Sequence, residues 1–294
     1  MTKEGLGFAI GAQRFDAPHL APGLYIVATP IGNLADITIR ALQVLAGADL
    51  VLCEDTRHSA RLFEAYGIRT RRSPLHEHNE RQRIDPVLDA IASGSAVALI
   101  SDAGTPLLSD PGFPLVRAAR ERGLDVIPLP GPSALLAALA GAGLPTDAFS
   151  FVGFLPPKTG QRKNALGALV ARSETLVFYE SPRRLGASLA DMAQVLGDRP
   201  AVVALELTKK FERFIEGQLS TLGDQFDSAT RGEAVIVVSG AASTDSASAP
   251  DWRAALEEAL TRAPLRSAVD EIAARFSLKR KDVYDEALAR RKKS

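Results

Sequence analysis

Among its 294 residues the chain has a single cysteine, Cys53, which excludes an intrachain disulfide and fits a reducing cytosol. It has no excess of either charge: 35 Lys and Arg stand against 35 Asp and Glu, so no whole-molecule field draws it to a polyanion. No stretch approaches about 18 uninterrupted apolar residues, so a membrane span is not expected. The start lacks the basic-then-apolar pattern of a signal peptide, and a cytoplasmic location is expected. Gly-x-Gly-x-x-Gly, P-loop and Gly-x-Ser-x-Gly patterns are missing, and Cys53 lies inside an apolar run. A dinucleotide fingerprint and covalent catalysis by Ser or Cys therefore lack support.

The sequence does contain a regular alternation of short apolar runs and amphipathic stretches. Leu24–Ala28, Ala48–Cys53, Val97–Ile100 and Asp125–Leu129 read as buried strands. Helices are expected near 37–46 with Asp36 as cap, 60–66, 81–92, 113–121 and 134–140. Such an alternation implies a mostly parallel sheet. After the Gly-rich stretch 141–147, strand candidates at 149–155, 175–179, 202–208, 213–219 and 234–239, with helices at 161–171 and 184–196, suggest a mixed sheet containing a hairpin. The resulting division is a poorly ordered leader (1–21), an N-terminal α/β domain (22–143), a mixed-sheet α/β domain (144–240), a Ser/Ala-rich linker (241–250) and a basic helical extension (251–294).

Three loops follow three strands of the first domain. They are Thr29-Pro30-Ile31-Gly32-Asn33, Ser101-Asp102-Ala103-Gly104-Thr105-Pro106 and Pro130-Gly131-Pro132-Ser133. Each residue has an ordinary explanation: Pro30 and Gly32 make a tight turn, and Asp102, Thr105 and Ser133 cap or turn. Together the loops suggest a ligand along one sheet edge, where small residues let it approach the backbone. Two polar clusters stand out, Glu54-Asp55-Thr56-Arg57-His58 and His76-Glu77-His78-Asn79-Glu80. They match no metal motif, so no metal is expected. They read either as solvated loops or as a basic, proton-accepting site for a polyanion. Seven arginines against three glutamates between Arg57 and Arg83 favour the second reading. The tail from Arg275 carries eight Lys and Arg against three acids. It suits RNA phosphates and a charged helix face equally.

In combination, the first loop from Leu24 to Thr38, Glu54–His58, Ser101–Pro106, Pro130–Ser133, Phe178–Leu185 and Glu206–Lys209 resemble the ribosomal RNA small subunit methyltransferase I family, within the tetrapyrrole-methylase-like (class III) methyltransferases. The resemblance runs from about residue 22 to 290. It implies a homodimer of two α/β domains with S-adenosylmethionine in the cleft between them. It also implies 2′-O-methylation of a cytidine ribose, cytidine 1402, in the decoding region of 16S rRNA or the small ribosomal subunit. Carried over by position, Thr29, Pro30, Asp102, Ala103, Gly104, Thr105, Pro106, Ser133, Tyr179 and Ala234 should line the cofactor site. Asp55, Arg57, His58, His76 and Glu77 should face the RNA and the methyl group, with the general base among Asp55, His58, His76 and Glu77. Three rival functions are a corrin-type small-molecule methylase, a non-catalytic RNA-binding ribosome factor and a metal hydrolase built on the His/Glu clusters.

Overall fold

The structure is a computed structural model that describes residues 2–76, 78–226, 230–241, 252–276 and 278–291. It contains two compact units, Met1–Gly240 and Ala241–Ser294.

The first unit opens with strands β1 (Thr2–Ile10) and β2 (Gln13–Pro18), paired as an antiparallel hairpin. This corrects the expectation of a poorly ordered leader. Phe8 stacks on Phe15 with ring centroids 5.2 Å apart, and Phe8 and Ala17 are buried in one cluster with Leu42 and Leu45. The Ala9 amide also donates to the Tyr66 carbonyl at 2.7 Å. Leu6 and Phe15 pack against the same cluster, while Ile10 stays exposed.

The first large sheet alternates strands and helices: β3 (Gly23–Val27), α1 (Ile39–Gly47), β4 (Leu50–Cys53), α2 (Thr56–Ala65), β5 (Arg72–Pro74), α3 (Glu80–Ala92), β6 (Ala96–Leu99), α4 (Phe113–Glu121), β7 (Val126–Leu129) and α5 (Ala134–Gly141). Its order is β5-β4-β6-β3-β7, and every pair is parallel. All residues of β3 and β6 are buried, as expected of central strands covered on both faces. Because β3 lies between β6 and β7, the loops leaving their carboxyl ends are neighbours. The cap of α1 is Thr38, whose hydroxyl accepts from the Ala41 amide at 3.0 Å. Asp36 belongs instead to a short 3-10 turn capped by Asn33.

The second sheet is mixed. Its elements are β8 (Phe149–Phe154), α6 (Thr159–Gly167), β9 (Thr175–Glu180), α7 (Leu185–Leu196), β10 (Pro200–Leu205), β11 (Arg213–Gln218), α8 (Leu219–Leu222) and β12 (Ala234–Val238). Its order is β11-β10-β12-β9-β8, with only β8 and β9 parallel. A bulge in β8, with Gly153 at φ 74°, shifts the register between Phe151 and Gly153 and leaves Phe154 exposed. On the far face, the buried Arg162 guanidinium pairs with Asp191 at 2.6 Å and also donates to the Pro157 carbonyl.

The second unit contains α9 (Trp252–Arg262), α10 (Leu265–Arg275) and α11 (Arg280–Arg291), packed around Leu256, Ala259, Ala268, Val269, Ile272, Val283 and Ala287. Some of its basic side chains are internally paired: Arg280 with Asp270 at 2.5 Å and Arg262 with Glu271 at 2.7 Å.

Truncating a buried aromatic leaves a cavity that neighbours fill only in part. Phe8→Ala is therefore expected to cost about 3–5 kcal/mol in urea unfolding. A disordered leader would show no change.

Candidate active site

The three neighbouring loops are joined to one another by their backbones. Thr29 and Gly104 form an isolated two-residue bridge, with amide-to-carbonyl distances of 2.8 and 3.0 Å in the two directions. The Thr29 hydroxyl donates to the Ser101 carbonyl at 3.2 Å, and the Thr105 hydroxyl donates to the Pro132 carbonyl at 3.2 Å. Gly131 permits the third loop to lie on the first, since a Cβ there would sit 2.8 Å from that of Ala28. Gly104 has φ +81° and so adopts a turn that L side chains disfavour.

The first two loops and the start of α5 form one wall of a cavity of about 460 Å³, and the carboxyl end of β9 and the start of β12 form the other. That volume suits a ligand of cofactor size. Asp102, Ala103, Gly104 and Thr105 line one side, facing Tyr179, Glu180, Ala234 and Val235. Tyr179 stands edge-on to Phe151 (4.8 Å) and Phe154 (5.6 Å), which makes an aromatic flank. Burial holds the Tyr179 phenol above its usual value, and the Asp110 charge adds to the effect. Glu180 at the rim is almost fully buried and fully used. It accepts from the Ser181 amide at 2.7 Å and the Ser188 hydroxyl at 2.5 Å, and it pairs with Arg184.

A second cavity of about 410 Å³ adjoins the first and shares Ile31, Asp102, Ala103 and Glu233 with it. Its other walls carry Thr29, Pro30, His58, Arg61 and Lys209. Both cavities are mainly apolar with a few convergent polar groups; the second presents Arg61, Lys209 and the His58 imidazole together with the carboxylates of Asp102 and Glu233. Among the described residues, no group of three or more His, Cys, Asp or Glu could hold a metal ion. Burial raises the Cys53 thiol, which remains a core side chain.

Residues 23–223 match the family profile described as Tetrapyrrole (Corrin/Porphyrin) Methylases, and residues 246–291 match the RsmI C-terminal HTH domain. A relative from Mesorhizobium japonicum called ribosomal RNA small subunit methyltransferase I is 51% identical over 232 residues, covering 78% of this chain and 79% of its own. One of the same name from Escherichia coli O157:H7 is 44% identical over 280 residues, covering 94% and 98%. The chain belongs to the ribosomal RNA small subunit methyltransferase I family. Solved structures share the fold at lower identity. Uroporphyrin-III-C-methyltransferase from Thermus thermophilus has a TM-score of 0.54 at 20% identity, covering 74% of this chain and 94% of its own. Diphthine synthase has a TM-score of 0.57 at 16% identity, covering 74% and 89%.

In this family member, the sequence-derived site residues fall into three groups. Asp102, Ala103, Gly104, Thr105, Tyr179 and Ala234 line the first cavity, and Thr29, Pro30 and His58 line the second together with Asp102 and Ala103. The structure does not bring Pro106, Ser133, Asp55, Arg57 or His76 into either cavity. Ser133 caps α5, accepting from the Leu136 amide at 3.4 Å. Asp55 caps α2, which starts earlier than the sequence suggests, and its carboxylate also pairs with Arg57 at 3.1 Å. The Arg57 side chain is 90% exposed. His76 faces Asn79 at 3.2 Å through Nε2, while its Nδ1 is buried without a partner. Glu77 lies outside the described residues.

Sequence reasoning missed Asp110. Burial is the main force raising its carboxyl to about 6, with Glu54 and Asp102 adding repulsion against the opposing effect of the Ser101 hydroxyl. It lies on the cavity wall beside Leu107 and Ser109, both at positive φ (76° and 71°), in a loop whose backbone strain marks a constrained segment. A signal was available: a second Ser-Asp pair, Ser109-Asp110, follows Ser101-Asp102 within the same strand-to-helix connection.

The folded state holds the Asp110 proton more tightly than the unfolded chain does, because 3.8 becomes about 6. Its contribution to stability is therefore present below the lower value and is lost as pH rises through about 6. Asp110→Asn should remove this part of the pH dependence, as measured by urea unfolding at a series of pH values. An unchanged profile would show that Asp110 titrates normally.

Proposed function

We propose that the protein transfers a methyl group from S-adenosylmethionine to the 2′-hydroxyl of a cytidine ribose, cytidine 1402, in the decoding region of 16S rRNA. The observation that carries this reading is the pair of adjoining cavities. One suits a compact donor, the other carries Arg61, Lys209 and His58 beside the carboxylates of Asp102 and Glu233, and they meet at Ile31, Asp102, Ala103 and Glu233. S-adenosylmethionine supplies a methyl group on a sulfonium, which needs no activation by the protein.

The chain's own residues have to hold the donor, exclude water and place an oxygen in line at roughly 3 Å. Backbone groups of Asp102–Thr105 and the aromatic flank around Tyr179 suit the donor. A related solved structure, uroporphyrin-III C-methyl transferase from Thermus thermophilus, carries S-adenosyl homocysteine. At 19% identity it shares the fold, and its ligand class agrees with this reading. Asp110, once ionised, favours a cationic ligand in the first cavity. A polar wall with Arg61, Lys209 and His58 suits a phosphodiester and its ribose. Of the residues that the resemblance offers as base, His58 lines this cavity, where an imidazole can hold the ribose or its phosphate; a proton acceptor positioned in this cavity contributes about 10²–10⁴-fold. Asp55 and His76, also base candidates by the resemblance, lie away from the two cavities, and Glu77 lies outside the described residues. The exposed Arg57 at the start of α2, paired with Asp55 at 3.1 Å, meets RNA phosphate outside them by exchanging that partner.

A corrin-type methylase is supported by the Tetrapyrrole (Corrin/Porphyrin) Methylases profile over residues 23–223 and by solved structures at 18–20% identity, whereas the relatives at 43–51% carry an rRNA methyltransferase name. We assign the site to a cytoplasmic homodimer acting on 16S rRNA or the small ribosomal subunit, without a metal. Light scattering should return the mass of two chains.

Mapping 2′-O-methylated nucleotides in 16S rRNA from cells with and without the gene tests the reaction. Loss of one ribose methyl is expected, and an unchanged map would overturn the reading. Arg57→Ala should lower the rate of RNA methylation about tenfold or more, the scale of one charge-assisted phosphate contact, while leaving donor affinity within error. Equal losses in turnover and in calorimetric donor binding would remove Arg57 from the RNA-facing role.

A further inference from the structure

A lysine on the wall of the second cavity is bonded to a glutamate that both cavities share. Lys209 follows β10, and its Nζ is hydrogen-bonded to Glu206 at 2.9 Å and to Glu233 at 3.2 Å. Glu233 lines both cavities, and Lys209 lines the second. The segment holding them is tightly constrained. Glu206 and Thr208 adopt positive φ (51° and 66°), a conformation rare for residues with side chains. The Glu206 amide donates to the Glu233 carbonyl at 3.0 Å, and the Glu233 amide returns a bond to the Glu206 carboxylate at 3.0 Å. Gly232 is required there, because a Cβ would lie 2.0 Å from that carboxylate.

The lysine stem is fixed from the other side as well. A Cβ on Gly32 would fall 2.5 Å from Lys209 Cγ and 3.0 Å from the Thr208 hydroxyl, so the first loop and this segment interlock. That hydroxyl is buried without a protein partner. Strained backbone held by several redundant bonds is a mark of functional segments. An ion pair serving only stability needs no such constraint, and at a partly open surface it contributes little. Burial lowers the ammonium's affinity for its proton, but the bonds to Glu206 and Glu233 outweigh that and keep the lysine charged. A charged lysine cannot accept a proton. It can stabilise negative charge that develops nearby.

Resting on the methyl-transfer reading above, we propose that Lys209 and Glu233 are a catalytic pair acting on the acceptor ribose. The Lys209 ammonium stabilises charge developing on the 2′-oxygen, and the Glu233 carboxylate takes that oxygen's proton. In this step the 2′-oxygen forms a bond to the methyl carbon, and the carbon–sulfur bond breaks with its electron pair left on sulfur. The hydroxyl proton passes to Glu233, so the sulfonium charge and the carboxylate charge disappear together. Glu206 is a positioning residue that holds both partners.

The test uses the full-length protein, small ribosomal subunits from cells lacking the gene, and single-turnover methylation with excess enzyme. Lys209→Met is expected to slow transfer about 10²–10³-fold, the range for losing one preorganised charge stabiliser. S-adenosylhomocysteine affinity should stay within about threefold. Glu233→Gln should slow transfer about 10²-fold or more. The double variant should be no slower than the worse single one, as for residues working as a unit. Lys209→Arg, which keeps the charge, should recover at least tenfold over Lys209→Met. If Lys209→Met does not fold, Glu233→Gln carries the test, since its side chain is 68% exposed and the change preserves its size. An undiminished rate, or a rate loss matched by an equal loss of donor affinity, overturns the pair while leaving the ribose reading intact. Wild-type product methylated on a base overturns both.

Discussion

The short antiparallel bridge between Thr29 and Gly104 is the contact on which the rest of the site depends. Parallel strands end without pairing their departing loops, so adjacent loops ordinarily move independently. Here two reciprocal backbone hydrogen bonds join the loops after β3 and β6, and the Thr105 hydroxyl extends the connection to the loop after β7. Backbone groups are thereby fixed at the mouth of the sheet before any ligand arrives, which lowers the ordering cost of binding. The topology makes this possible, because β3 sits between β6 and β7 and brings three separate connections to one place.

Much of this could be read directly from the amino-acid order, for a physical reason. Leu24–Ala28 and Val97–Ile100 are uninterrupted apolar runs that end abruptly in Pro, Gly, Ser and Thr, so both the strand and the turn declare themselves locally. The same is true of Asp102 and Gly104, just past the end of such a run, whereas Tyr179 and Ala234 were named only by the family resemblance. The polar cluster Glu54–His58 was harder to interpret. Its side chains fit a reactive site, yet Asp55 is used in capping α2 and pairing with Arg57, while only His58 reaches a cavity. Side-chain type announces chemistry, but which way a residue faces depends on where the helix starts.

What was not legible depends on pairing between distant segments. The role of the hairpin of residues 2–18 appears only when Phe8 and Ala17 meet α1, a contact that no local pattern specifies. Strand β5 is three residues long and contains both an arginine and a proline, too little for any periodicity. Glu206 and Glu233 are far apart in the chain. They become neighbours because β10 and β12 pair with Leu205 opposite Ala234, a register that no local pattern specifies. Asp110 likewise acquires its altered acidity from surroundings assembled by the fold and not from its immediate sequence.

The first cavity draws its walls from both ends of a long stretch of chain, from Ile31 near the beginning to Val235 near the close of the second sheet. A ribosome-bound nascent chain lacking β12 would own the three joined loops but not the opposing wall. The free energy of a ligand held there therefore adds to stability only once both sheets are complete.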